Sequence, residues 1–510
     1  MLRGDLAANG GPIVTAPCPV RAVSRHAGTR LLVTSEGRLR GAAGRRRTKI
    51  VATLGPATRD AEVLRRLVEA GMDVARINLS HGTTDEHEEG IKAVRVAAAR
   101  CGAPLAVLID LPGPKLRLGD LAQPIFVRNG DLVELGPGRE SAVPVNFPEL
   151  LEHFSAGELV LVDDGAVVFR VAMVTPPTVV LEALNDGLVE SRKGVNLPDT
   201  RLPIGALTGA DLELLEWGLG QDVDYVALSF VRCAGDVREL KGLIAEAGGD
   251  QLVVAKIEKK EALAVHEEII AAADAVMVAR GDLGVEIDLS LVPVWQKRII
   301  HAANVAGKPV ITATQMLQSM IAAPRPTRAE ANDVANAIYD ATSAVMLSGE
   351  TAIGEYPVEA VRTMAGIGLA VEADIERVGR APRTWADGRT GVSTAMSFGA
   401  CEVAQRVDAA AIVTATFSGA TARAVARNFP SQPIVAVSAN RRVVNQLALV
   451  WGVDPELGTA CGSFEEVVRE ANDLVIASGH GRPGDVVVIT AGLLTNQPGK
   501  TNLVKAHVLA

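Results

Sequence analysis

The sequence predicts an α/β protein built on a closed (β/α)8 TIM barrel, with an inserted small β-barrel domain and a C-terminal α/β domain. Eight short apolar runs alternate with amphipathic helical segments, one gap between runs is too long for a helix, and a further strand–helix series follows. Strict alternation of strands with helices implies parallel pairing. Eight regular units favour closure over an open doubly wound sheet.

The eight runs have the length and β-branched composition of buried strands. They are TKIVATL (48–54), DVARINLS (73–80), LAVLID (105–110), DYVALSF (224–230), LVVAKIE (252–258), AVMVARGD (275–282), PVITATQ (309–315) and AVMLSG (344–349). Segments such as AEVLRRLVEA (61–70) and RAEANDVANAIYD (328–340) have helical spacing between them. The barrel is therefore predicted over 46–118 and 202–378.

Two further domains are predicted from what lies outside these units. Residues 119–201 alternate short strands with turns, which predicts a mostly β domain on the loop after the third strand. Residues 390–510 follow a polar, glycine-containing connection and contain the runs AAIVTAT, QPIVAVS, DVVVIT and TNLVKAHVL. They predict a second α/β domain.

The N-terminal segment is predicted to be a disordered basic extension over 1–45. Residues 1–47 carry nine Arg and two acidic residues, whereas the whole chain has a net charge of −9. The rest of the chain therefore carries about −16. An RNA-binding arm, an organelle transit peptide and an over-long start are alternatives for this segment. The acidic body has 3% aromatic residues and lacks the basic face and stacking rings of a nucleic-acid platform.

The cysteines and the hydropathy pattern indicate the compartment. Five scattered cysteines argue against a disulfide framework and a zinc site, and they predict a cytoplasmic protein. They are Cys18, Cys101, Cys233, Cys401 and Cys461. No stretch of about 18 residues is apolar enough to span a bilayer, and no signal peptide is recognisable. We expect neither a membrane nor a nucleic acid as partner.

Polar residues cluster at the strand ends where active residues of such barrels gather. Alternate positions place side chains on one face of a strand. Three groups share a face of their strand: Arg76 with Asn78 and Ser80, Lys256 with Glu258, and Thr312 with Thr314. The polar residues that end or follow runs are Asp110, Ser229, Asp282, Ser348 and Glu350. Each could be an ordinary strand-end residue, but convergence of so many on one rim favours a site.

Three of these residues predict metal-dependent phosphoryl transfer. Glu258 and Asp282 lie on neighbouring strands and can hold Mg²⁺, which takes few protein oxygens. Lys256 adds the positive charge that a phosphoryl group in transfer needs. The alternative is a Lys256–Glu258 ion pair that only closes the rim. Gly281 and Gly284 leave backbone N–H groups near Asp282 for an anion.

Seven segments closely resemble pyruvate kinase, in order, over residues 46–510. They are KIVATLGPAT, ARINLSHG, KIEKKEAL, MVARGDLGVEI, ATQMLQSMI, PRPTRAEANDVANAI and MLSGETAIGEYPVEAV. The resemblance implies that the inserted domain acts as a lid, that the C-terminal domain binds a phosphorylated allosteric effector, and that the enzyme is a homotetramer. It implies the glycolytic reaction of phosphoenolpyruvate with ADP to give pyruvate and ATP.

The resemblance also assigns roles to matching positions. Glu258 and Asp282 would bind Mg²⁺, with Mn²⁺ as a substitute, and Lys256 and Arg76 would contact the phosphoryl group. The groups expected to hold the substrate carboxylate are the Thr314 hydroxyl and the backbone of Ala279, Arg280, Gly281 and Asp282. Thr314, Ser348 and Glu350 would lie near the route of the proton to the enolate, with the final donor, or a water relay, left open. The nucleotide positions are Pro56, Asn78, His81 and Arg117, with Asp164 and Lys193 from the lid.

One departure from many relatives concerns a monovalent cation. They have Asp-Thr-Lys-Gly-Pro-Glu where this chain has DLPGPK (110–115), and they bind K⁺ through positions matching Asn78, Ser80, Asp110 and the Leu111 carbonyl. Lys115 replaces the glutamate, so its ammonium can provide the charge of K⁺. This combination resembles the potassium-independent branch, and we expect no K⁺ requirement. Nothing in the sequence accounts for Pro112.

The turn TFSGAT after a C-terminal strand resembles the effector-phosphate loop of the family, through Thr416, Ser418, Gly419 and Thr421. Without the resemblance, an ordinary helix-capping turn explains it equally well. Two other functions stay open at this stage. One is a lyase or aldolase that uses Mg²⁺-enolate chemistry, and the other is a catalytically inactive regulator, although Lys256, Arg76 and both carboxylates are retained.

Overall fold

The computed structural model describes residues 32–33, 39–41, 44–137, 142–200, 203–378, 391–492 and 501–510. Within the N-terminal segment it describes three short antiparallel strands, β1 (Leu32–Val33), β2 (Leu39–Gly41) and β3 (Gly44–Arg45). The rest of the extension predicted over 1–45, and with it the expected disorder, lies outside the described residues.

The first barrel units follow the predicted strands closely. They are β4 (Lys49–Thr53), α1 (Ala61–Ala70), β5 (Val74–Asn78), α2 (Thr84–Arg100) and β6 (Ala106–Asp110). Local sequence sets the helix ends. Asp60 caps α1 by accepting from the N–H groups of Glu62 and Val63, and Gly71 ends it at φ +113°, a conformation that favours glycine.

The inserted domain is β-rich, as predicted. Its strands are β7 (Ile125–Val127), β8 (Leu132–Leu135), β9 (Leu159–Val162), β10 (Val167–Thr175), β11 (Thr178–Ala183), β12 (Gly187–Val189) and β13 (Val195–Asn196). Five of them form one antiparallel sheet in the order β13-β9-β10-β11-β8, and β12 pairs with β7. Alternating buried residues such as Phe169, Val171 and Leu181 give the domain its own hydrophobic core.

The chain then completes the barrel. The elements are α3 (Gly209–Leu219), β14 (Tyr225–Leu228), α4 (Ala234–Glu246), β15 (Leu252–Ile257), α5 (Lys260–Ala264), α6 (His266–Ala272), β16 (Ala275–Ala279), α7 (Arg280–Glu286), α8 (Val292–Ala306), β17 (Val310–Ala313), α9 (Arg328–Tyr339), β18 (Ala344–Leu347), α10 (Gly349–Ala352) and α11 (Pro357–Val378). All neighbouring strands are parallel, and β18 pairs with β4 to close the barrel. The predicted closed (β/α)8 architecture is confirmed.

The C-terminal residues form a separate five-stranded sheet. Its elements are α12 (Val392–Arg406), β19 (Ala411–Ala415), α13 (Ala420–Ala426), β20 (Ile434–Ser438), α14 (Arg441–Leu447), β21 (Val453–Leu457), α15 (Phe464–Ala477), β22 (Val486–Ala491) and β23 (Leu503–Val508). The order is β21-β20-β19-β22-β23, with only β23 antiparallel. The sequence analysis missed β21, because its Pro455 and two acids are untypical of a strand but tolerated at a sheet edge.

The C-terminal domain closes the end of the barrel where the strands begin. Ala448 and Leu449 are buried in one cluster with inward-facing barrel residues. The Tyr225 hydroxyl donates to the Gln446 carbonyl at 2.6 Å, and the Lys49 ammonium to the Val453 carbonyl at 2.7 Å. The opposite rim is therefore the one left for chemistry. In the part of the chain described, no helix has the length and apolarity to cross a membrane.

Shortening Leu449 tests this interface. Leu449 is 1% exposed, so Leu449→Ala leaves a cavity and we expect a loss of about 2–5 kcal/mol in the free energy of unfolding. Urea denaturation followed by circular dichroism measures it. The control, Leu289→Ala, shortens a leucine that is 75% exposed, and its curve should overlay the wild type. Equal curves for both variants contradict the interface.

Candidate active site

A buried ion-pair network occupies the rim at the strand C-termini. Arg76 on β5 donates through Nε to Asp110 Oδ2 at 2.8 Å and through a terminal nitrogen to the Thr53 hydroxyl at 3.0 Å. Asp110 is itself buried, and although burial raises its pKa, Lys256 and Arg76 hold that pKa below its ordinary value. Asp110 thus stays ionised and orients Arg76. Sequence reasoning missed Thr53, whose position in an apolar run gave no signal.

Lys256 lies at the centre of this network. Its ammonium is 2.7 Å from Ser229 Oγ, 3.5 Å from Asp110 Oδ1 and 3.4 Å from Glu258 Oε2. Burial lowers the pKa of Lys256, but the surrounding carboxylates outweigh it and raise that pKa above its ordinary value. The site therefore holds a permanent positive charge in a place with little water, where electrostatic effects are strong.

Glu258 is fully buried and only partly satisfied. Its Oε1 accepts from the Phe230 N–H at 2.7 Å, whereas Oε2 lies 3.4 Å from the Lys256 ammonium but accepts no hydrogen bond from the described residues. Burial raises the pKa of Glu258 to about 7, with Asp282 and Asp110 adding to the rise against the effect of Lys256. A bound cation would give this buried oxygen a partner and would stabilise the ionised form of the carboxyl.

Asp282 lies in the first turn of α7 and is already paired with a cation. Lys115 Nζ is 2.9 Å from Asp282 Oδ1 and 3.9 Å from Asp164 Oδ1 in the inserted domain. Burial raises the pKa of Asp282, but Lys115 and Lys256 together hold it below its ordinary value. Asp282 is thus an ionised carboxylate at the junction of the barrel and the inserted domain.

The residues of the predicted monovalent-cation region have hydrogen-bond partners other than Lys115. Among the described residues the Lys115 ammonium pairs only with Asp282 and Asp164, and not with Asn78, Ser80, Asp110 or Leu111. Asn78 Oδ1 accepts from the exposed Ser80 N–H at 3.3 Å, and the Leu111 carbonyl accepts from Ser229 Oγ at 2.7 Å. The Lys115 charge thus lies on the Asp282 carboxylate, and the role of this region in monovalent-cation binding stays a prediction.

Thr314 contacts the start of α7. The Gly281 N–H donates to Thr314 Oγ1 at 2.7 Å, and Thr314 has φ +69°, which is unusual for a β-branched residue. The Arg280 side chain braces this turn, donating to the Thr314 carbonyl at 2.6 Å and to Asp333 at 2.8 Å. The Arg280 side chain is thus engaged by these partners, so the expected substrate contact would come from its backbone. The positive end of a helix and a hydroxyl suit a carboxylate.

Ser348 and Glu350 form a buried turn after β18. Glu350 is fully buried, and its two oxygens accept from the N–H groups of Leu317 at 3.1 Å and Ser348 at 2.7 Å. Because both oxygens are engaged by the main chain, Glu350 stabilises the loops after β17 and β18. The predicted proton-route role of these residues stays a prediction.

The predicted nucleotide positions are divided between the barrel and the inserted domain. Pro56 begins the 3-10 helix Pro56–Thr58. The pKa of His81 is lowered, mainly by partial burial and further by the nearby charges of Arg117 and Arg76. Arg117 donates to the Arg192 carbonyl at 3.3 Å.

Two of these positions lie in the inserted domain and are held by charge pairs. Lys193 lies 3.0 Å from Asp163 and 3.3 Å from Glu190, which raise its pKa. Asp164 contacts Lys115 at the junction with the barrel. Asp164 is thus connected to Asp282 through Lys115, whereas Lys193 is paired with acidic residues of the inserted domain.

The donor set for a metal consists of two carboxylates. The described residues contain no group of three or more His, Cys, Asp or Glu side chains arranged to hold a metal ion. Two carboxylates are nevertheless enough for Mg²⁺, which completes its shell with water and substrate oxygens. Glu258 Oε2, which accepts no hydrogen bond, and the ionised carboxylate of Asp282 fit such an ion.

The predicted effector loop forms a tight turn before α13. Gly419 has φ +77°, and Arg423 folds over the turn to donate to the Ser418 carbonyl at 2.9 Å. The Thr416 N–H donates to the Val437 carbonyl at 2.9 Å. The Thr421 hydroxyl lies 2.8 Å from that of Thr501. These contacts give the loop a defined shape and place one arginine on it.

Comparison with known proteins identifies what this architecture is similar to. A family model for the barrel domain of pyruvate kinase matches residues 45–361, and a model for its α/β domain matches 394–507. The chain is 43% identical over 474 residues to a pyruvate kinase of Geobacillus stearothermophilus, covering 91% of this chain and 81% of the relative. It is 38% identical over 470 residues to a pyruvate kinase of Clostridium acetobutylicum, covering 91% of this chain and 99% of the relative. It is 43% identical over 470 residues to a pyruvate kinase of Mycobacterium intracellulare, covering 91% of this chain and 98% of the relative.

The pKa of Glu258 gives a testable pH dependence for divalent-cation binding. In the metal-free protein a carboxyl with a pKa of about 7 is mostly protonated at pH 6 and ionised at pH 8, so a cation must displace a proton at pH 6. We expect Mn²⁺ affinity, measured by the loss of its free electron-spin resonance signal, to be about tenfold weaker at pH 6 than at pH 8. A constant affinity across this range contradicts the assignment of Glu258 as a ligand.

Proposed function

We infer that this chain, which belongs to the pyruvate kinase family, transfers the phosphoryl group of phosphoenolpyruvate to ADP and forms pyruvate and ATP. Family membership makes it a phosphotransferase and argues against the lyase and aldolase alternatives. The observation that carries the specific reaction is the buried Lys256 ammonium between Ser229, Asp110 and Glu258.

Charge neutralisation is the chemical task of this site. Glu258 and Asp282 would hold Mg²⁺, with Mn²⁺ as a substitute, and when bound the ion neutralises charge on the phosphoryl oxygens. Lys256 contributes a second positive charge to the same oxygens from a fixed position. Arg76, oriented by Asp110, contributes a third. Fixed charges in a dry site stabilise the transition state without reorganisation during the reaction.

The remaining residues orient the two substrates. The backbone of Ala279–Asp282 and the Thr314 hydroxyl would bind the substrate carboxylate, supported by the Gly281–Thr314 hydrogen bond. We assign the nucleotide to the positions shared between barrel and inserted domain. They are Pro56, Asn78, His81, Arg117, Asp164 and Lys193. Closure of the inserted domain over them would exclude water from the transfer.

We also propose that the enzyme requires no K⁺, because Lys115 supplies the positive charge that K⁺ would bring. The Lys115 ammonium is bound to Asp282, so it adds a fixed positive charge beside the candidate Mg²⁺ site. Its second contact, with Asp164, extends that charge towards the inserted domain. A side chain that already supplies this charge removes the need for a dissolved monovalent cation.

Regulation and assembly follow from the family only as proposals. We propose that the turn Thr416–Thr421, with Arg423 folded over it, binds the phosphate of an effector. The glycolytic role, the homotetramer and the cytoplasmic location are proposed on the same ground.

Lys256 is the residue whose loss tests the reaction. Lys256→Met removes the central charge while keeping an apolar stem, and we expect kcat to fall by about 10³-fold or more. A lactate dehydrogenase-coupled assay with phosphoenolpyruvate, ADP and Mg²⁺ measures it, and direct detection of ATP confirms the product. The matched control is Lys260→Met, a lysine on the same chain segment with a side chain 58% exposed, which should keep its activity. Survival of activity in Lys256→Met refutes the assignment.

Replacing K⁺ by tetramethylammonium tests the monovalent-cation proposal. We expect the wild-type rate to stay nearly constant, because Lys115 supplies the charge internally. The variant Lys115→Glu should lose activity in tetramethylammonium and regain part of it in K⁺, since the added carboxylate again needs a cation. A large drop of the wild-type rate without K⁺ shows that Lys115 does not take this role.

A further inference from the structure

A second buried ion pair connects the two chain segments that carry the candidate metal ligands. Lys259 directly follows Glu258, and Glu286 ends α7, the helix whose first turn carries Asp282. Lys259 Nζ lies 2.6 Å from Glu286 Oε1, and the Glu286 side chain is 1% exposed. Removing one partner of such a pair leaves an uncompensated buried charge. The pair therefore constrains how far these two segments can separate.

The same pair borders the hinge of the inserted domain. Glu286 and Lys259 line a cavity of about 60 Å³ that opens to solvent. Residues 114–116, which lead into the inserted domain, and 195–197, which include its last strand β13, line it as well, and we call these two segments the hinge. Burial raises the pKa of Glu286, and Lys259 and then the Asn196 amide act against that rise. Glu286 thus lies between the barrel and β13, the last strand of the inserted domain.

Two polar atoms in this cavity are buried and unsatisfied. Glu286 Oε2 and Asn196 Oδ1 have no hydrogen-bond partner among the described residues, and both residues are more than nine-tenths buried. A buried acceptor without a partner costs about 1–3 kcal/mol. Both acceptors are therefore open to a new partner, and the Asn196 side chain already contacts Glu286 across this junction.

We propose that Glu286 is a positioning residue for the candidate metal site and links that site to the hinge of the inserted domain. Its ion pair with Lys259 holds Asp282 at the separation from Glu258 that a shared divalent cation needs. Its contact with Asn196 carries the effect of cation binding to the hinge. This inference rests on the proposed metal role of Glu258 and Asp282.

The opposing possibility is that the pair only stabilises the rim. In that case its loss would lower the unfolding temperature and leave the affinity for a divalent cation unchanged. A positioning role instead predicts a loss of affinity, because groups that orient metal ligands typically change affinity by about 10- to 100-fold when removed. Cation affinity and hinge protection separate the two possibilities without use of the catalytic assay.

Mn²⁺ binding, followed by the electron-spin resonance of the free ion, is the first measurement. We expect Glu286→Gln and Lys259→Met to weaken binding about 10- to 100-fold, whereas Lys259→Arg, which keeps the charge, retains it. The double variant Lys259→Met/Glu286→Gln leaves no unpaired buried charge, so it stays folded if a single variant does not. Glu261→Gln, a change in the same cavity, is the control and should bind Mn²⁺ like the wild type.

Amide hydrogen exchange of the hinge is the second measurement. In the wild type, Mn²⁺ should slow exchange in residues 114–116 and 195–197, and in Asn196→Ala it should not, although Mn²⁺ still binds.

Two results overturn the inference. Wild-type Mn²⁺ affinity in both Glu286→Gln and the double variant, while Glu258→Gln loses binding, refutes the positioning role and leaves the proposed function intact. Wild-type affinity in Glu258→Gln itself refutes the metal site on which both proposals rest.

Discussion

The Lys256 ammonium, buried at the rim of the barrel, is the interaction on which the rest of the site depends. A charge in such a place is stable only when carboxylates and hydroxyl groups surround it. Asp110, Glu258 and Ser229 do so here, at 2.7–3.5 Å. The acids hold the lysine charged, and the lysine in turn limits the mutual repulsion of the acids. Burial still raises the pKa of Glu258, the carboxyl of this network that is hardest to ionise.

The barrel explains why this cluster can exist. Parallel strands place their C-terminal ends at one rim, so residues far apart in the chain meet there. The other end is closed by the C-terminal domain through Leu449 and through the hydrogen bonds of Tyr225 and Lys49. One end therefore contributes mainly to stability, while the other can keep unsatisfied groups for ligands. The inserted domain lies over the second end, linked to it by Lys115 and bordered by the Lys259–Glu286 pair.

Most of the barrel and its polar rim could be predicted from sequence, because buried parallel strands are continuous apolar runs and the rim residues interrupt them. β21 could not, since Pro455 and its acidic neighbours hide a strand at a sheet edge. Contacts made by long side chains could not be predicted from the sequence pattern either. Lys115 reaches Asp282, 167 positions away, and the Glu350 oxygens are taken up by main-chain N–H groups. Nothing local in the sequence encodes either partner.

The central claim is that Glu258 and Asp282 hold a divalent cation next to the phosphoryl group that Lys256 and Arg76 contact. The most direct test is the ³¹P resonance of phosphoenolpyruvate bound to the enzyme in the presence of Mn²⁺, whose unpaired electrons broaden nearby nuclei. The account predicts strong broadening in the wild type, reversed by excess Mg²⁺, and its loss in Glu258→Gln with the substrate still bound. Broadening that persists in Glu258→Gln, or its absence in the wild type, would contradict the account.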